Sequence, residues 1–442
     1  MTIIKATKFK TIFILVIGMH LFIFNNLLAQ GNISEIDSNQ LPPAELFVLK
    51  NKYNQLGITG LLQTQFQFAS EKGTLSFNGG NFSPNSNNRF MIRRGRLKFD
   101  FKSYTSSNKI WNQWVIQIDA TEKGIKIRDA YATFFENKWE LFDISAGLIF
   151  RPFGNELVYS SSKRESPERG RVSDILFGAG RDVGAILTLN PRKDPSQFKK
   201  FTLKVGVFNG PGLTGSSEFD SYKDVVVRAK VHNMELGKSG IHFSAGVSGL
   251  FGGVNNVNPV YYYSQTMGLV ADSSIDNLQK TLKKHYLGAD IQIQIPNRKG
   301  KSEFRAEYIA GKQLSTLSNT HSFGAYPILP NGTNEPLAIR NFDGAFFYYL
   351  QHLNSEKHQI VLKYDWYNPN TKLKSINIDG TNNTSVVDLA FQTIGGGYLF
   401  YIHPNAKLSF WYEHPINKAT RIVGFTQDIK DDVFTCRLQV SF

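Results

Sequence analysis

The chain has 442 residues, with 50 lysines and arginines against 36 aspartates and glutamates, and a single cysteine. One cysteine excludes an intrachain disulfide and a cysteine-rich metal site. The net charge of +14 favours an anionic partner, which we expect to be lipopolysaccharide or a small anionic solute. Nucleic acid is the poorest candidate because no recognition helix or stacking-aromatic motif is present. The alternative to an anionic partner is a basic surface that only aids solubility.

The first 29 residues have the pattern of a secretory signal peptide. Lys5, Lys8 and Lys10 precede an apolar stretch over 11–28, and Ala29 is a small residue at a plausible cleavage point. The alternative is an N-terminal membrane anchor, because this stretch approaches the ~18 residues of a spanning helix. Cleavage would remove three lysines and no acid, which lowers the net charge from +14 to +11.

We expect the mature chain to divide at residue 57, with a periplasmic N-terminal segment, 30–56, and a transmembrane β-barrel, 57–442. After residue 30 no apolar run approaches the ~20 residues that a spanning helix needs. Only helices and closed barrels satisfy every backbone hydrogen bond in lipid. If the mature chain lies in a membrane, we therefore expect a barrel.

Apolar and polar residues alternate from residue 57 to the C-terminus. One face carries Leu62, Thr64, Phe66 and Phe68, then Met91, Leu97, Phe99 and Phe101, then Trp114, Ile116 and Ile118, then Leu287, Ala289, Ile291, Ile293 and Ile295, then Ile360, Leu362, Tyr364 and Trp366, and at the end Phe434, Cys436, Leu438, Val440 and Phe442. Period two over so many segments predicts an all-β antiparallel sheet, with about sixteen strands.

Alternation alone does not distinguish a membrane barrel from a soluble sandwich. Three features favour the transmembrane antiparallel barrel: strand lengths near the ~9–11 residues that cross a membrane, long polar segments, and aromatic residues at strand ends. We expect external loops at 71–88, 211–223, 252–282 and 312–344. The aromatics that suit a membrane interface are Trp139, Tyr159, Trp366, Tyr367, Trp411 and Tyr412.

Basic residues occupy alternate positions of the second strand, at Arg94, Arg96, Lys98 and Lys102. Alternate residues project to one side at a ~6.6 Å repeat. Such a row along a lumen would pass an anion from site to site, and weak binding at several sites suits conduction. The alternative is that these charges pair with carboxylates of neighbouring strands, such as Asp119 and Asp129.

Six short runs occur in an order that resembles the phosphate-selective porin family (porins O and P). They begin at Met91 (Met-Ile-Arg-Arg-Gly-Arg-Leu), Lys126 (Lys-Ile-Arg-Asp-Ala-Tyr), Gly147 (Gly-Leu-Ile-Phe-Arg-Pro-Phe-Gly), Pro167 (Pro-Glu-Arg), Gly180 (Gly-Arg-Asp-Val-Gly) and Val207 (Val-Phe-Asn-Gly). The match covers residues 57 to 210 well. Beyond it the resemblance rests on strand pattern and the terminal Phe442.

The resemblance implies a sixteen-stranded homotrimeric barrel in which the loop after the fifth strand, about Asn155 to Arg181, folds inward. That loop carries Glu156, Glu165, Glu168 and Asp174 beside its basic residues, so it is nearly neutral. Near-neutrality weakens the prediction of phosphate selectivity, but not that of a barrel. The predicted pore-lining, anion-binding residues are Arg94, Arg96, Lys98, Lys126, Arg128, Lys163, Arg164, Arg169, Arg171 and Arg181.

Motifs of common enzyme classes are missing. The sequence has no phosphate-binding loop, no G-x-S-x-G elbow and no H-E-x-x-H pair, so we expect no enzyme activity, no cofactor and no metal site. A barrel-embedded hydrolase, with Ser and His on adjacent strands, is a minor alternative. The leading prediction is an outer-membrane channel for passive diffusion of small anionic solutes such as phosphate. Its alternative is a barrel with a plugged lumen and a surface-binding or structural role.

Overall fold

The computed structural model describes residues 47–51, 53–193, 200–213, 215 and 218–442. They contain one short α-helix, α1 (Arg171–Phe177), and three single-turn 3-10 helices. The strands of the sheet are β1 (Phe47–Lys50), β2 (Asn54–Ala69), β3 (Asn88–Tyr104), β4 (Ile110–Thr121), β5 (Gly124–Phe135), β6 (Phe142–Phe150), β7 (Arg181–Leu189), β8 (Phe201–Phe208), β9 (Asp224–Glu235), β10 (His242–Asn255), β11 (Val260–Gln265), β12 (Gly268–Ser273), β13 (Thr281–Asn297), β14 (Gly300–Thr316), β15 (Leu337–His352), β16 (His358–Asn368), β17 (Phe391–His403), β18 (Ala406–Asn417) and β19 (Val433–Ser441).

Sixteen of these strands close into an antiparallel barrel. Strands β2 to β10 and β13 to β19 each pair with the next barrel strand along the chain, and β19 pairs with β2. The sixteen-stranded all-β barrel predicted from the alternation is therefore confirmed. The remaining hairpin, β11–β12, lies between β10 and β13 and adds β11 in parallel to the start of β15.

The first and last barrel strands meet at a seam between β2 and β19. The register runs from Val433 opposite Ala69 to Ser441 opposite Leu61, and Phe442 exchanges two backbone hydrogen bonds of 3.0 and 3.1 Å with Gly60. Strand β1 then continues along the same edge of β2. Sheet pairing thus starts at Phe47, before the boundary at residue 57 that the sequence suggested. The predicted signal peptide and the rest of the segment 30–46 lie outside the described residues.

Burial along the strands places the polar face inside the barrel. In β16, Ile360 and Leu362 point outward and are exposed, whereas Lys363 and Asp365 occupy the alternate, inward positions and are buried. A soluble sandwich would bury the apolar face instead. The outward apolar face is the arrangement of a barrel in lipid. No helix in the described ranges combines the length and the apolar character needed to cross a membrane.

Two predictions about side-chain direction are wrong. A β-bulge at Arg93 in β3 shifts the register against β2, which turns Met91 inward, where its sulfur accepts a hydrogen bond of 3.2 Å from Gln65. Tyr367 and Trp411 are buried inside the barrel, and Tyr159 lies in the connection between β6 and β7 with its ring 4.6 Å from the guanidinium of the buried Arg305, so none of the three is at a membrane interface. Tyr367 and Trp411 each neighbour an outward aromatic in sequence, and consecutive strand residues face opposite sides.

The connections differ greatly in length at the two ends of the barrel. Turns at one end are short, and the long connections 70–87, 151–180, 209–223, 256–280, 317–336, 369–390 and 418–432 lie at the other, together with the tight turn at 122–123. The loops expected at 252–282 and 312–344 are too long, because their ends continue the strands β10, β13, β14 and β15. The loops 369–390 and 418–432 were not anticipated.

Candidate functional site

The connection between β6 and β7, residues 151–180, lies inside the barrel and is called the inner loop below. The backbone N–H of Gly154 donates to Ser248 of β10 at 3.0 Å, and the N–H of Asn155 donates to Glu307 of β14 at 2.7 Å. On the far side, Lys407 of β18 donates to the carbonyl of Arg164 at 2.8 Å. These contacts with inner faces of well-separated strands show that the loop crosses the lumen.

An apolar cluster holds the base of the inner loop. Val172, Ile175, Leu176 and Phe177 of α1 are buried together with Phe153 at the start of the loop. Val172 packs against Gly344 of β15, where a Cβ atom would lie 2.7 Å from the valine side chain. The helix ends at Gly178, whose φ of 50° is a left-handed value that glycine adopts without strain. The loop is thus packed as a small core within a polar lumen.

The carboxylates of the inner loop are engaged by the barrel wall. Glu168 accepts from Arg93 and Arg94 of β3, both at 2.7 Å, and from Arg437 of β19 at 3.1 Å. Burial alone would raise the pKa of Glu168, but Arg93, Arg94 and Arg437 hold this pKa well below its ordinary value. Glu165 likewise pairs with Arg305 of β14 at 2.8 Å.

Arg164 and Arg169 of the inner loop differ from these carboxylates in having no ion-pair partner among the described pairs. Arg164 is buried, and the hydrogen bond recorded for its side chain is to the Tyr159 carbonyl at 3.5 Å. Arg169 donates to the carbonyls of Leu157 and Gly178 at 2.8 and 3.3 Å. Burial, together with the nearby charge of Arg164, lowers the pKa of Arg169 to about 9. Among the described ion pairs, none links a carboxylate to Arg164 or Arg169.

Three arginines of the barrel strands lie beside these two. Arg96 of β3 pairs with Asp119 at 3.0 Å, Arg128 of β5 lies 3.9 Å from the same carboxylate, and Arg181 of β7 pairs with Asp129 at 2.6 Å. Arg96 also donates to Ser161 of the inner loop. We call this group the arginine cluster: Arg96, Arg128, Arg164, Arg169 and Arg181. Of these five cations, Arg96, Arg128 and Arg181 make the described pairs with two carboxylates, Asp119 and Asp129.

Several N–H groups of the arginine cluster have no acceptor. The Nε atoms of Arg128, Arg164 and Arg169 are buried and make no hydrogen bond to protein. A buried donor without a partner costs free energy, and an anion supplies the oxygen acceptors that guanidinium groups bind well. The cluster therefore has the charge and the donors of an anion site.

The other predicted site residues lie elsewhere. Arg94 is buried against Glu168 and Gln63, and Lys98 lies 3.5 Å from Asp100. Lys126 is exposed near the start of β5, and Lys163 is partly buried in the inner loop. Arg171 lies on the opposite side of the loop, 4.7 and 4.0 Å from the rings of Phe77 and Phe391.

Sequence reasoning missed the wall residues that hold the inner loop. Arg93, Arg305, Lys407 and Arg437 each contact it, but they come from three distant parts of the chain. The Pro167-Glu-Arg run was the one signal that pointed near Glu168. Among the described residues, no group of three or more His, Cys, Asp and Glu side chains is arranged to hold a metal ion.

The lumen is divided into a sealed side and an accessible side. Inner-face residues of β2 and β14–β16, such as Gln67, Glu307, Arg340 and Asp365, are at most 2% exposed because the inner loop and the external loops cover them. On β3 the Lys98 side chain is 36% exposed, and the inward residues of β4 are mostly half-buried. Water therefore reaches the inner wall at β3–β5, beside the arginine cluster.

Solved structures with the same architecture come from bacterial outer membranes. The outer membrane channel DcaP of Acinetobacter baumannii is 13% identical, with a TM-score of 0.54 over 89% of this chain and 99% of that one. OprB of Pseudomonas putida is 10% identical, with a TM-score of 0.53 over 88% and 94% of the two chains. OmpF of Salmonella typhi, in complex with daunomycin, is 12% identical, with a TM-score of 0.52 over 90% and 100%. The chain has the fold of an outer-membrane porin.

No protein-family model matches the sequence, and no curated protein matches it either. At these low identities the structural similarity concerns the porin fold alone. The prediction of a porin-type barrel is thereby confirmed at the level of architecture. Solute and selectivity have to be argued from the residues of this chain.

Proposed function

We propose that this chain forms a water-filled channel in the outer membrane for passive diffusion of small anionic solutes, with phosphate as the first candidate. The observation that carries the proposal is the separation of charge around the inner loop. Its carboxylates Glu165 and Glu168 are neutralised by arginines of the wall. Its arginines Arg164 and Arg169 make none of the described ion pairs; Arg169 lies near Arg164 and Arg181, and the carboxylates of Asp174 and Glu156 offset these charges in part. A segment that is nearly neutral in composition therefore presents a cationic side.

A path for anions follows the accessible side of the lumen. The turn between β4 and β5 is only two residues long, Glu122 and Lys123, so the rim is low at this point of the long-loop end. Lys126 lies just inside it, the arginine cluster follows, and Lys98 and Lys102 continue towards the short-turn end. Successive weak sites of one sign allow an ion to leave as well as to bind. No step of this function requires a chemical reaction or a cofactor.

The second candidate function is a structural or surface-binding barrel with a closed lumen. The observation in its favour is the sealed side, where Arg340 and Gln67 are fully buried and external loops pack over the mouth. In that case the inner loop would be a plug. The two functions predict opposite results in an electrical measurement.

The test is single-channel recording of the purified chain in a planar lipid bilayer. We expect discrete conductance steps, a reversal potential in a salt gradient that shows anion preference, and a reduction of chloride current by millimolar phosphate. Absence of steps from protein that shows heat-modifiable gel migration would support the closed barrel. Conductance steps without anion preference would support a channel but contradict the proposed role of the arginine cluster.

The resemblance also leads us to propose a homotrimer. Chemical cross-linking in outer-membrane vesicles, followed by gel electrophoresis without heating, should give a band of three chains. A monomer band under the same conditions would contradict this part of the proposal. Outer-membrane lipid and lipopolysaccharide are the expected surroundings.

A further inference from the structure

A cavity lies on the sealed side of the lumen, beneath the external loops 70–87 and 418–432, and we call it the loop cavity. It encloses about 360 Å³ that is free of protein atoms. Its walls include those two loops, the inner loop and the strands β16, β17 and β18. The charged residues that line it are Glu168, Arg169, Arg171, Lys363, Asp365, Glu413 and Asp431.

The charges around the loop cavity do not balance. Lys363 lies 3.0 Å from Asp365 and 4.0 Å from Glu413, and Arg171 is the cation nearest in effect to Asp431. Counted over the lining residues, three cations stand against four carboxylates, so the fully ionised cavity has a net charge of −1. A buried net charge is unfavourable unless a counter-charge neutralises it.

Two side-chain oxygens at the loop cavity accept no hydrogen bond from the protein. They are Oδ1 of Asn78 and Oδ1 of Asp431, on residues that are only 3% and 4% exposed. Both residues line the cavity. The amide of Asn78 is held in place because its Nδ2 donates to Glu413 at 2.8 Å. A buried acceptor without a partner is costly, and a positively charged ligand would satisfy both oxygens.

The available oxygens suit a monovalent cation better than a divalent one. Calcium takes about six to eight oxygen ligands, whereas the loop cavity offers one carboxylate oxygen and one amide oxygen without a partner. One positive charge would bring the net charge of the ionised cavity from −1 to zero. Water would satisfy the same two oxygens but would leave the charge uncompensated.

We propose that the loop cavity binds one alkali cation at Asn78 Oδ1 and Asp431 Oδ1, and that this ion stabilises loop 418–432 over the sealed side. A proton competes with the ion for the carboxylate. Burial raises the pKa of Asp431 to about 7, against Arg171 and together with Asp428 and Asp432. The cation therefore binds above this pH and not well below it. The proposal does not depend on whether the lumen conducts.

The test measures hydrogen exchange of residues 418–432 in the full chain, in nonionic detergent, by mass spectrometry. Sodium chloride is compared with tetramethylammonium chloride at equal ionic strength, because tetramethylammonium carries its charge behind methyl groups and cannot coordinate oxygen directly. Asp431→Asn removes the carboxylate and keeps its size. The matched control is Asp428→Asn, an exposed residue of the same loop whose Oδ1 accepts from the Asn417 N–H at 2.8 Å, a bond that asparagine retains. Heat-modifiable migration verifies that both variants are folded.

At pH 8, sodium at about ten times its Kd should slow exchange of the loop roughly tenfold in the unmodified chain and in the control. At pH 5 the two salts should give the same rate, and in Asp431→Asn they should do so at either pH. Equal exchange in the two salts at pH 8 would overturn the proposal in favour of water alone. A sodium effect that persists in Asp431→Asn or at pH 5, or that is lost in the control, would overturn it as well.

Discussion

Replacing Arg164 by Gln should reduce the anion preference of the channel more than any neutralisation outside the arginine cluster. The side chain is buried in the inner loop without a carboxylate partner. Its removal therefore leaves no acid unpaired, and Gln retains the size and polarity of the site. In Arg164→Gln the cluster changes from five cations and two carboxylates to four and two, so its net charge falls from +3 to +2.

The expected size follows from Coulomb's law. One charge acting on an ion at ~6 Å, in a medium close to water, contributes about 0.7 kcal/mol, which is roughly threefold in occupancy. Because the same charge repels cations, the permeability ratio of anion to cation should fall about tenfold. Screening by salt reduces the effect, since the Debye length is about 10 Å at 0.1 M. The change should therefore be larger at low ionic strength.

The assay is the reversal potential across a planar bilayer in a potassium chloride gradient. The matched control is Arg298→Gln, an exposed arginine in the turn between β13 and β14. A shift for Arg164→Gln at unchanged single-channel conductance, with no shift for the control, is the expected pair of results. Identical reversal potentials for the unmodified chain and Arg164→Gln would refute the assignment of the pore to this side of the loop.

Two further predictions concern charges of the loops. Glu168→Gln should lower the free energy of unfolding in urea by about 3–5 kcal/mol, because the buried Arg94 and Arg437 and the partly exposed Arg93 lose their shared carboxylate; Glu71→Gln, in an exposed pair, should lower it by less than about 1 kcal/mol. Burial and the neighbouring Asp428 and Asp432, opposed by Arg171, raise the pKa of Asp431 to about 7. Ionised Asp431 is thus disfavoured in the folded loop, whose stability should fall as the pH rises from about 4 to about 7. Hydrogen exchange of residues 418–432 at pH 5 and pH 8 measures this, and Asp431→Asn should abolish the difference.

The strand pattern was predictable because each barrel strand repeats the same local rule. Alternation identified the outward faces of β13, β16 and β19 without any knowledge of partners. The rule failed at Arg93, where one extra residue reverses the face for Met91. Bulges depend on the partner strand, and a single strand's sequence does not encode them. The predictions for Tyr367 and Trp411 were wrong for a related reason, since tyrosine and tryptophan suit either face of a barrel strand.

The charge pattern of the inner loop was beyond sequence reasoning. Its composition is nearly neutral, and only the fold shows that Glu168 bonds to Arg94 and Arg437, which lie 74 and 269 residues away along the chain. Arg164 and Glu165 are adjacent in sequence, yet Glu165 forms an ion pair with Arg305, whereas none of the described ion pairs includes Arg164. Pairing across a closed barrel depends on the angular position of each strand. The number of charges along the chain does not show which strand each side chain will face.

The seam between β2 and β19 has a consequence for how the barrel assembles. All other barrel neighbours follow one another along the chain, whereas Gln63 and Gln439, hydrogen-bonded at 2.7 Å, are separated by 376 residues. Contacts this distant form slowly, and until they form two strand edges have no partners in lipid. The inner loop bonds to both sides, since the carbonyls of Ser161 and Ser162 accept from Gln63 and Gln439 at 3.1 and 2.8 Å. The inner loop therefore links the two seam strands from inside the barrel. Shortening this loop should delay closure of the barrel as well as widen the lumen.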